Sequence, residues 1–168
     1  ITLYHLIFVV KIKNNMKVCI LGVGITSLTL AKALVNQKIY VDIIEPKRKN
    51  SLNNSRTIGI SKSNIEFFNN SIVNVNKIAW KLKKIEIFTE KLGREKLINF
   101  ENNNAELFSI IRNQRLLDLL SISLSKNKYF KKISLFKNLN FLNNYNLVIN
   151  TDFSNPITKK YFSKKILK

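Results

Sequence analysis

The sequence is poor in the residues that cross-link or interrupt a chain: one cysteine, one histidine, two prolines and four glycines in 168 residues. A single cysteine, Cys19, excludes an internal disulfide framework and any zinc site built from several cysteines. We therefore predict no metal site and expect a cytoplasmic protein. Long apolar runs are also missing, because the longest, Ile1 to Val10, is far shorter than the roughly 20 residues that span a bilayer. No transmembrane helix is predicted.

Acidic residues are scarce as well, 10 against 29 Lys and Arg, which gives a formal net charge of +19. Such a charge raises nucleic acid as a partner. Lys, Asn and Ile supply 71 of the 168 residues, and all three have A/T-rich codons, so genome bias accounts for the lysines. Lys is scattered rather than gathered on one helix face. We therefore expect a solvated basic surface and no specific nucleic-acid partner, with a non-enzymatic basic binding module as an alternative.

The apolar content, 45% hydrophobic residues, is sufficient for one folded domain of ordinary size. The sequence begins with Ile1, and Met16 stands directly before the best-patterned strand. We interpret residues 1–15 as a leader outside the fold and residues 16–168 as the domain, with the biological start at Met16.

The first part of the domain has a strand, turn, helix, strand pattern. Lys17 to Leu21 is a mostly apolar run that ends at Gly22, and apolar residues recur at helical spacing from Leu28 to Val35. Tyr40 to Ile44 forms a second buried strand, which Glu45 closes. This pattern predicts a βαβ unit with a right-handed crossover.

The later segments alternate between strand and helix patterns. Ser61 or Ser63 can cap a short helix that runs to Asn69, and Gln114 to Leu124 has the apolar spacing of a longer helix. Further strands are predicted at Lys84–Thr89, Leu97–Phe100, Leu107–Ile111, Lys132–Phe136 and Asn146–Asn150. The alternation favours an α/β fold, Rossmann-like, with a parallel central sheet.

The most informative motif is the glycine turn of residues 22–27, which follows a strand and opens a helix. Gly22 permits a turn that a Cβ would forbid, and Gly24 lets the main chain approach a pyrophosphate closely. The helix start, with Ile25 and Thr26, supplies unpaired N–H groups for phosphates. Ser27 stands where the third glycine or alanine of the dinucleotide fingerprint usually lies, and serine is small enough to fit.

Glu45 completes the fingerprint, because it ends the next strand 21 residues after Gly24. Its carboxylate can accept hydrogen bonds from a ribose hydroxyl and would repel a 2′-phosphate. The pattern therefore favours FAD or NAD over NADP. The simpler interpretation is a glycine turn in a Rossmann-like domain that has lost its ligand.

Three further segments carry a family resemblance. Residues 54–63 are similar to an Arg-x-x-x-Leu-Ser-x-Ser loop, with Arg56 as the arginine. Residues 112–120 are similar to a Glu-Asn-x-x-Leu-x-x-x-Leu helix start, with Asn113 in register and Arg112 in place of the acid. Residues 147–156 resemble a strand with an Asp-Gly motif, of which Asp152 is kept and the glycine is replaced by Phe153. Together they resemble the ubiquinone-biosynthesis flavoprotein hydroxylases, which are FAD-dependent aromatic hydroxylases with the para-hydroxybenzoate hydroxylase fold.

The resemblance implies that Arg56 lies against FAD, that the Asn113 amide caps a helix next to the flavin, and that Asp152 lies near the pyrophosphate. It implies hydroxylation of a small aromatic substrate, a quinone precursor, with NAD(P)H as electron donor and the flavin doing the chemistry. A lipophilic precursor would bring the protein into peripheral contact with a membrane. No residue is assigned a catalytic role, and the oligomeric state is left open.

Members of that family are longer than this chain, and their second FAD motif and most of their substrate-binding sheet would lie beyond Lys168. We therefore expect an N-terminal fragment of such a hydroxylase or a degenerate reading frame, in which the FAD-binding domain is truncated before the substrate domain is complete. Weak FAD binding and no hydroxylation are expected of the chain alone. The alternative is another Rossmann FAD or NAD oxidoreductase that shares only Gly22, Gly24 and Glu45.

Overall fold

A computed structural model describes residues 16–45, 56–90, 95–101, 106–134 and 139–152. A π-helical turn at Phe68–Ile72 extends the short helix Lys62–Phe67, and a 3-10 helix at Leu139–Asn144 precedes the last strand. In chain order the elements are β1 (Lys17–Leu21), α1 (Ile25–Asn36), β2 (Tyr40–Glu45), β3 (Thr57–Ser61), α2 (Lys62–Phe67), β4 (Trp80–Leu82), β5 (Lys84–Phe88), β6 (Lys96–Glu101), β7 (Phe108–Arg112), α3 (Asn113–Ser125), β8 (Phe130–Ser134) and β9 (Leu147–Asn150).

The central sheet has four strands in the order β8-β2-β1-β9, and every neighbouring pair is parallel. The predicted pairing of the first two strands is confirmed, with Val18 opposite Val41 and Ile20 opposite Ile43. Numbered among themselves, these strands have the order 3-2-1-4 that begins a dinucleotide-binding fold. The predicted α/β fold with a parallel central sheet is therefore confirmed.

One face of this sheet carries the main hydrophobic core. Because strand side chains alternate between faces, Val18, Ile20, Val41 and Ile43 all lie on this side, where they are fully buried. Helices α1 and α3 cover them, and β3 and β7 add one buried isoleucine each. The helix and antiparallel-sheet side chains of this core that are at most 5% exposed are Ala31, Val35, Ile60, Ile111, Leu116, Leu120 and Leu124.

The opposite face has a smaller core with a charge in it. Cys19, Leu21 and Ile44 pack there against the 3-10 helix and Tyr145. Asp42 is also buried on this face, and its Oδ2 accepts a hydrogen bond from the Tyr145 hydroxyl at 2.6 Å and pairs with the Lys17 ammonium at 2.8 Å. Two partners on one oxygen compensate much of the cost of burying this carboxylate.

The other strands do not join the parallel sheet. β7 pairs antiparallel with β3 and β4, and β5 pairs antiparallel with β6. The strands predicted at Lys84–Thr89, Leu97–Phe100 and Leu107–Ile111 therefore exist, but the expectation that they belong to a parallel arrangement is wrong. β5 and β6 are joined by a short connection, which suits antiparallel pairing, whereas a parallel pair needs a crossover. β7 pairs with strands that are distant in the sequence, so no local pattern sets its direction. β3 and β4 were not predicted.

Several predicted boundaries move in the structure. Ser61 is confirmed as a helix cap, since its hydroxyl accepts from the Asn64 N–H at 3.3 Å. The strand predicted at Lys132–Phe136 is β8, Phe130–Ser134, and the longer helix begins one residue earlier than predicted, at Asn113. Within the described residues, no helix is long and apolar enough to cross a bilayer. The interpretation of residues 1–15 as a leader concerns a segment outside the described ranges.

Candidate nucleotide-binding site

The glycine turn lies at the carboxyl end of β1, between the neighbouring ends of β2 and β9. Gly22 has φ +123°, which L side chains rarely adopt, and its N–H donates to the Ile44 carbonyl at 3.1 Å. A Cβ at Gly22 would lie 2.6 Å from Thr151 Oγ1. Both the backbone angle and the space at this position therefore require glycine.

Gly24 is different, because neither its own conformation nor protein packing requires glycine. It has the ordinary extended angles φ −76° and ψ 179° as the N-cap of α1, and it is exposed. A Cβ built there meets no heavy atom of the described residues within 4 Å. The space over Gly24 is open at the helix start, where the N–H groups of Ile25 and Thr26 have no partner within the helix.

Ser27 is buried behind this turn and contacts the end of β9. Its hydroxyl lies 2.6 Å from Thr151 Oγ1, which itself donates to the Leu21 carbonyl at 2.8 Å, so the Ser27 hydroxyl is the donor between them. A third glycine could not form this bond. Thr151 therefore ties β1, α1 and β9 together, a role that sequence reasoning missed because the partners are 124 residues apart.

Asp152 follows Thr151 and lies against the same turn. Its Cβ is 3.4 Å from the position that a Cβ on Gly22 would take, and its N–H donates to Asn150 Oδ1 at 3.1 Å. The fold thus brings Asp152 to the glycine turn, where the motif resemblance expects it. Phe153, the residue at the glycine position of that motif, lies outside the described residues.

Glu45 ends β2 at the edge of a groove of about 590 Å³ between α3, β8 and the glycine turn. Val23, Leu117 and Phe130 give the groove apolar walls. The Glu45 side chain is 37% exposed, and its Oε2 lies 3.1 Å from the Lys132 ammonium on β8. Sequence reasoning treated Glu45 as an unpaired anion, because nothing local predicts that β8 pairs with β2.

Arg56 and Asn113 are brought together by the antiparallel pairing of β3 with β7. The Asn113 N–H donates to the Arg56 carbonyl at 2.9 Å, and the Arg56 side chain is exposed. The prediction that the Asn113 amide caps the helix is wrong: Arg112 holds the N-cap position, and Asn113 is the first helical residue. Instead, Asn113 Oδ1 is buried and accepts no hydrogen bond from the described residues.

Cys19 is fully buried in β1, as predicted from its place in an apolar strand. Burial, helped by the nearby Asp42 carboxylate, raises the pKa of this thiol to about 12. It therefore stays protonated at neutral pH and packs as an apolar side chain. In the described ranges no group of three or more His, Cys, Asp or Glu side chains could hold a metal ion.

No known family of sequences matches this chain, and no curated protein matches it either. Solved structures do match. The p-nitrophenol 4-monooxygenase PnpA from Pseudomonas putida DLL-E4 has TM-score 0.57 and 11% identity over 73% of this chain and 32% of its own. PqsL, a probable FAD-dependent monooxygenase from Pseudomonas aeruginosa, has TM-score 0.58 and 17% identity over 72% and 33%. The flavin-dependent monooxygenase PieE, solved with FAD and substrate, has TM-score 0.56 and 13% identity over 73% and 24%.

These similarities establish the fold, that of the FAD-binding domain of flavin-dependent monooxygenases. The chain spans about a third or less of the length of these three structures. None of the three is named for ubiquinone biosynthesis or for a nicotinamide nucleotide, so that substrate and that electron donor have no support from them.

Proposed function

We propose that this chain is the FAD-binding portion of a flavoprotein aromatic-ring monooxygenase and that it holds the ADP half of FAD at the glycine turn. The observation that carries the proposal is the open space over Gly24. Gly24 is exposed in ordinary backbone geometry, and no atom of the described residues lies within 4 Å of the Cβ that it lacks, so we attribute the open space to a bound ligand. A pyrophosphate over a helix N-terminus fits that space and its charge.

The other predicted site residues would hold the rest of such a cofactor. The amides of Ile25 and Thr26 would donate to the pyrophosphate, and Glu45 would accept from the ribose. Asn113 Oδ1, buried and without a donor among the described residues, would accept from the flavin half, with Arg56 beside it and Asp152 near the pyrophosphate. When bound, FAD would supply the oxygen-transfer chemistry. This chain's residues would bind and orient the cofactor.

The substrate and the electron donor are proposed from the sequence resemblance alone. A quinone precursor, such as one of ubiquinone, has the electron-rich ring that hydroxylation requires, and NAD(P)H would reduce the flavin. Because the chain spans only a third or less of the matched structures, hydroxylation is proposed for a whole protein of that kind.

The test of FAD binding uses two glycines of the same chain. Gly24→Ala puts a methyl group where the pyrophosphate would lie, so we expect FAD binding at least about tenfold weaker, a loss of about 1.4 kcal/mol, with the thermal midpoint unchanged. Gly59→Ala is the matched control, because a Cβ at Gly59 on exposed β3 would make only an ordinary contact with Phe108 at 3.4 Å. Titration of FAD followed by flavin fluorescence measures both variants.

Equal FAD binding by the Gly24→Ala protein and the parent chain would refute the proposal that the pyrophosphate lies over Gly24. Binding of NADH without binding of FAD would favour the other oxidoreductase class, because both cofactors share the ADP half that the fingerprint recognises.

A further inference from the structure

The groove beside Glu45 contains a lysine that bears on which nucleotide it accepts. In the parallel register, Lys132 lies opposite Ile43, on the same face of the sheet as Glu45 two residues further along β2. Its ammonium lies 3.1 Å from Glu45 Oε2, and no described residue pairs with Oε1. The pair leaves one carboxylate oxygen for a ribose hydroxyl.

This pair changes the electrostatic argument about the ribose. A lone carboxylate beside a ribose repels a 2′-phosphate, which is the physical basis for preferring unphosphorylated nucleotides. Lys132 puts an opposite charge beside it, so a 2′-phosphate would meet a neutral pair with an ammonium within reach. The other acidic group in the groove, Asp118, already accepts a hydrogen bond from the Gln114 amide at 2.8 Å.

The Glu45–Lys132 pair has little value as a structural contact. The two side chains are 37% and 53% exposed, and ion pairs with that exposure contribute about 0–1 kcal/mol to stability. Loss of Lys132 should therefore leave the fold intact and change mainly the charge that a ligand meets.

We propose that Lys132 is a specificity-determining residue of the nucleotide groove: it offsets Glu45, so that the groove accepts a 2′-phosphorylated adenine nucleotide about as well as the unphosphorylated form. This inference rests on the proposed function, because it requires adenosine to bind beside Glu45. Glu45 alone would predict that the site excludes NADP-type nucleotides. With Lys132 beside it, the site should not exclude them.

The experiment compares ADP-ribose with 2′-phospho-ADP-ribose, which differ only in the 2′-phosphate, by calorimetric titration at 0.15 M salt, where distant charges are screened. For the parent chain we expect dissociation constants within about threefold of each other. Lys132→Met should weaken binding of the 2′-phosphorylated ligand about tenfold relative to ADP-ribose, a difference of about 1.4 kcal/mol. Lys132→Arg should keep the parent ratio, and Glu45→Gln should shift it towards the phosphorylated ligand.

Lys83→Met is the matched control: it removes the same charge from an exposed residue between β4 and β5, which does not line the groove, and should leave the ratio within twofold. A parent chain that binds ADP-ribose but rejects the phosphorylated ligand, or a Lys132→Met ratio equal to that of the control, would overturn this inference and leave the proposed function standing. A parent chain that binds neither ligand would overturn both.

Discussion

The side chains of the parallel sheet and of the β5–β6 ribbon alternate between two faces, but the two regions differ in how many of those faces are buried. In β1 the four residues after Lys17 have no exposed surface, and both faces of the strand are covered. In the ribbon, Ile85 faces Phe100 and Ile87 faces Ile98 on one side, while Lys84, Glu86 and Glu101 form ion pairs on the other. Phe100 is 52% exposed, so the ribbon's apolar side is largely uncovered by the described chain.

The difference explains where the candidate site lies. Burial on both faces fixes the ends of β1 and β2, where the glycine turn and Glu45 stand. Thr151, at the end of the more exposed β9, is held instead by its bonds to Ser27 and to the Leu21 carbonyl. A two-stranded ribbon with a free apolar side is marginally stable and offers no comparable rigidity. A cofactor that is bound by backbone amides needs strands that are buried on both faces. If such strands shifted, the amides would no longer point at the same phosphate group.

The largest effect is expected when one apolar side chain is shortened in each region, the core of the parallel sheet and the ribbon. Leu120→Ala removes a fully buried α3 side chain from the core beneath the sheet, and we expect a loss of about 2–5 kcal/mol in the free energy of unfolding. Phe100→Ala removes a larger side chain from the ribbon and should cost less, about 1 kcal/mol or below, because half of it is already exposed. Urea denaturation of both variants measures the difference. Equal losses would contradict the contrast.

The second test concerns the turn itself. Gly22→Ala forces a side chain into φ +123° and into contact with Thr151 Oγ1, and backbone strain of that kind costs about 1–3 kcal/mol. We expect this loss in urea denaturation, together with loss of FAD binding. The contrast with Gly24→Ala, stable but deficient in binding, distinguishes a structural glycine from a ligand-facing one. A Gly22→Ala protein of parental stability would show that the turn relaxes freely.

The third test uses pH on the sheet's second face. Burial raises the pKa of the Cys19 thiol from the ordinary value near 9.0, which we take for the unfolded chain, to about 12 in the folded protein. Between these two pKa values the unfolded chain loses the proton first, so the free energy of unfolding falls as pH rises above about 9. The fall is at most about 1.4 kcal/mol per pH unit, and below about pH 9 this group makes stability independent of pH. Burial and the bond to Asp42 also raise the pKa of Tyr145, which acts in the same direction.

Cys19→Ala should remove the part of the alkaline destabilisation that begins near pH 9. Urea denaturation at pH 7.5 and pH 10 gives the change in the free energy of unfolding with pH for the parent and for the variant. The cost of the cavity is the same at both pH values, so it cancels from this change. A parallel decline in both proteins would assign the alkaline effect to other groups.

The smallest effect is expected at the ribbon's ion pairs. Glu86 pairs with Lys84 at 3.1 Å and also with Lys96, and these partners hold the pKa of the Glu86 carboxyl below its usual value. Because these side chains are solvated and screened, Glu86→Gln should change the thermal midpoint very little. Thermal melts at low and high salt check this. A large, salt-sensitive loss would mean that charge, rather than strand pairing, holds the ribbon.

The glycine turn was predictable because its signals are local. A buried strand, two glycines, a helical repeat and a second strand closed by an acid occupy residues 17–45, and each constrains the backbone within a few residues. The antiparallel strands were harder, since a short apolar run indicates a strand without giving the direction of its partner. The predicted Asn113 cap failed for a similar reason, because the entry from β7 makes Arg112 the cap position.

The sequence by itself determined the β1-α1-β2 unit, the position of Glu45 at the end of β2 and the burial of Cys19, because periodicity and glycine act over neighbouring residues. Only the tertiary structure decided that Thr151 closes the turn on Ser27, that Arg56 meets Asn113, and that Lys132 lies beside Glu45. These contacts join residues 57 to 124 positions apart. Strand order and register set them, and both follow from packing of the whole chain rather than from any local pattern.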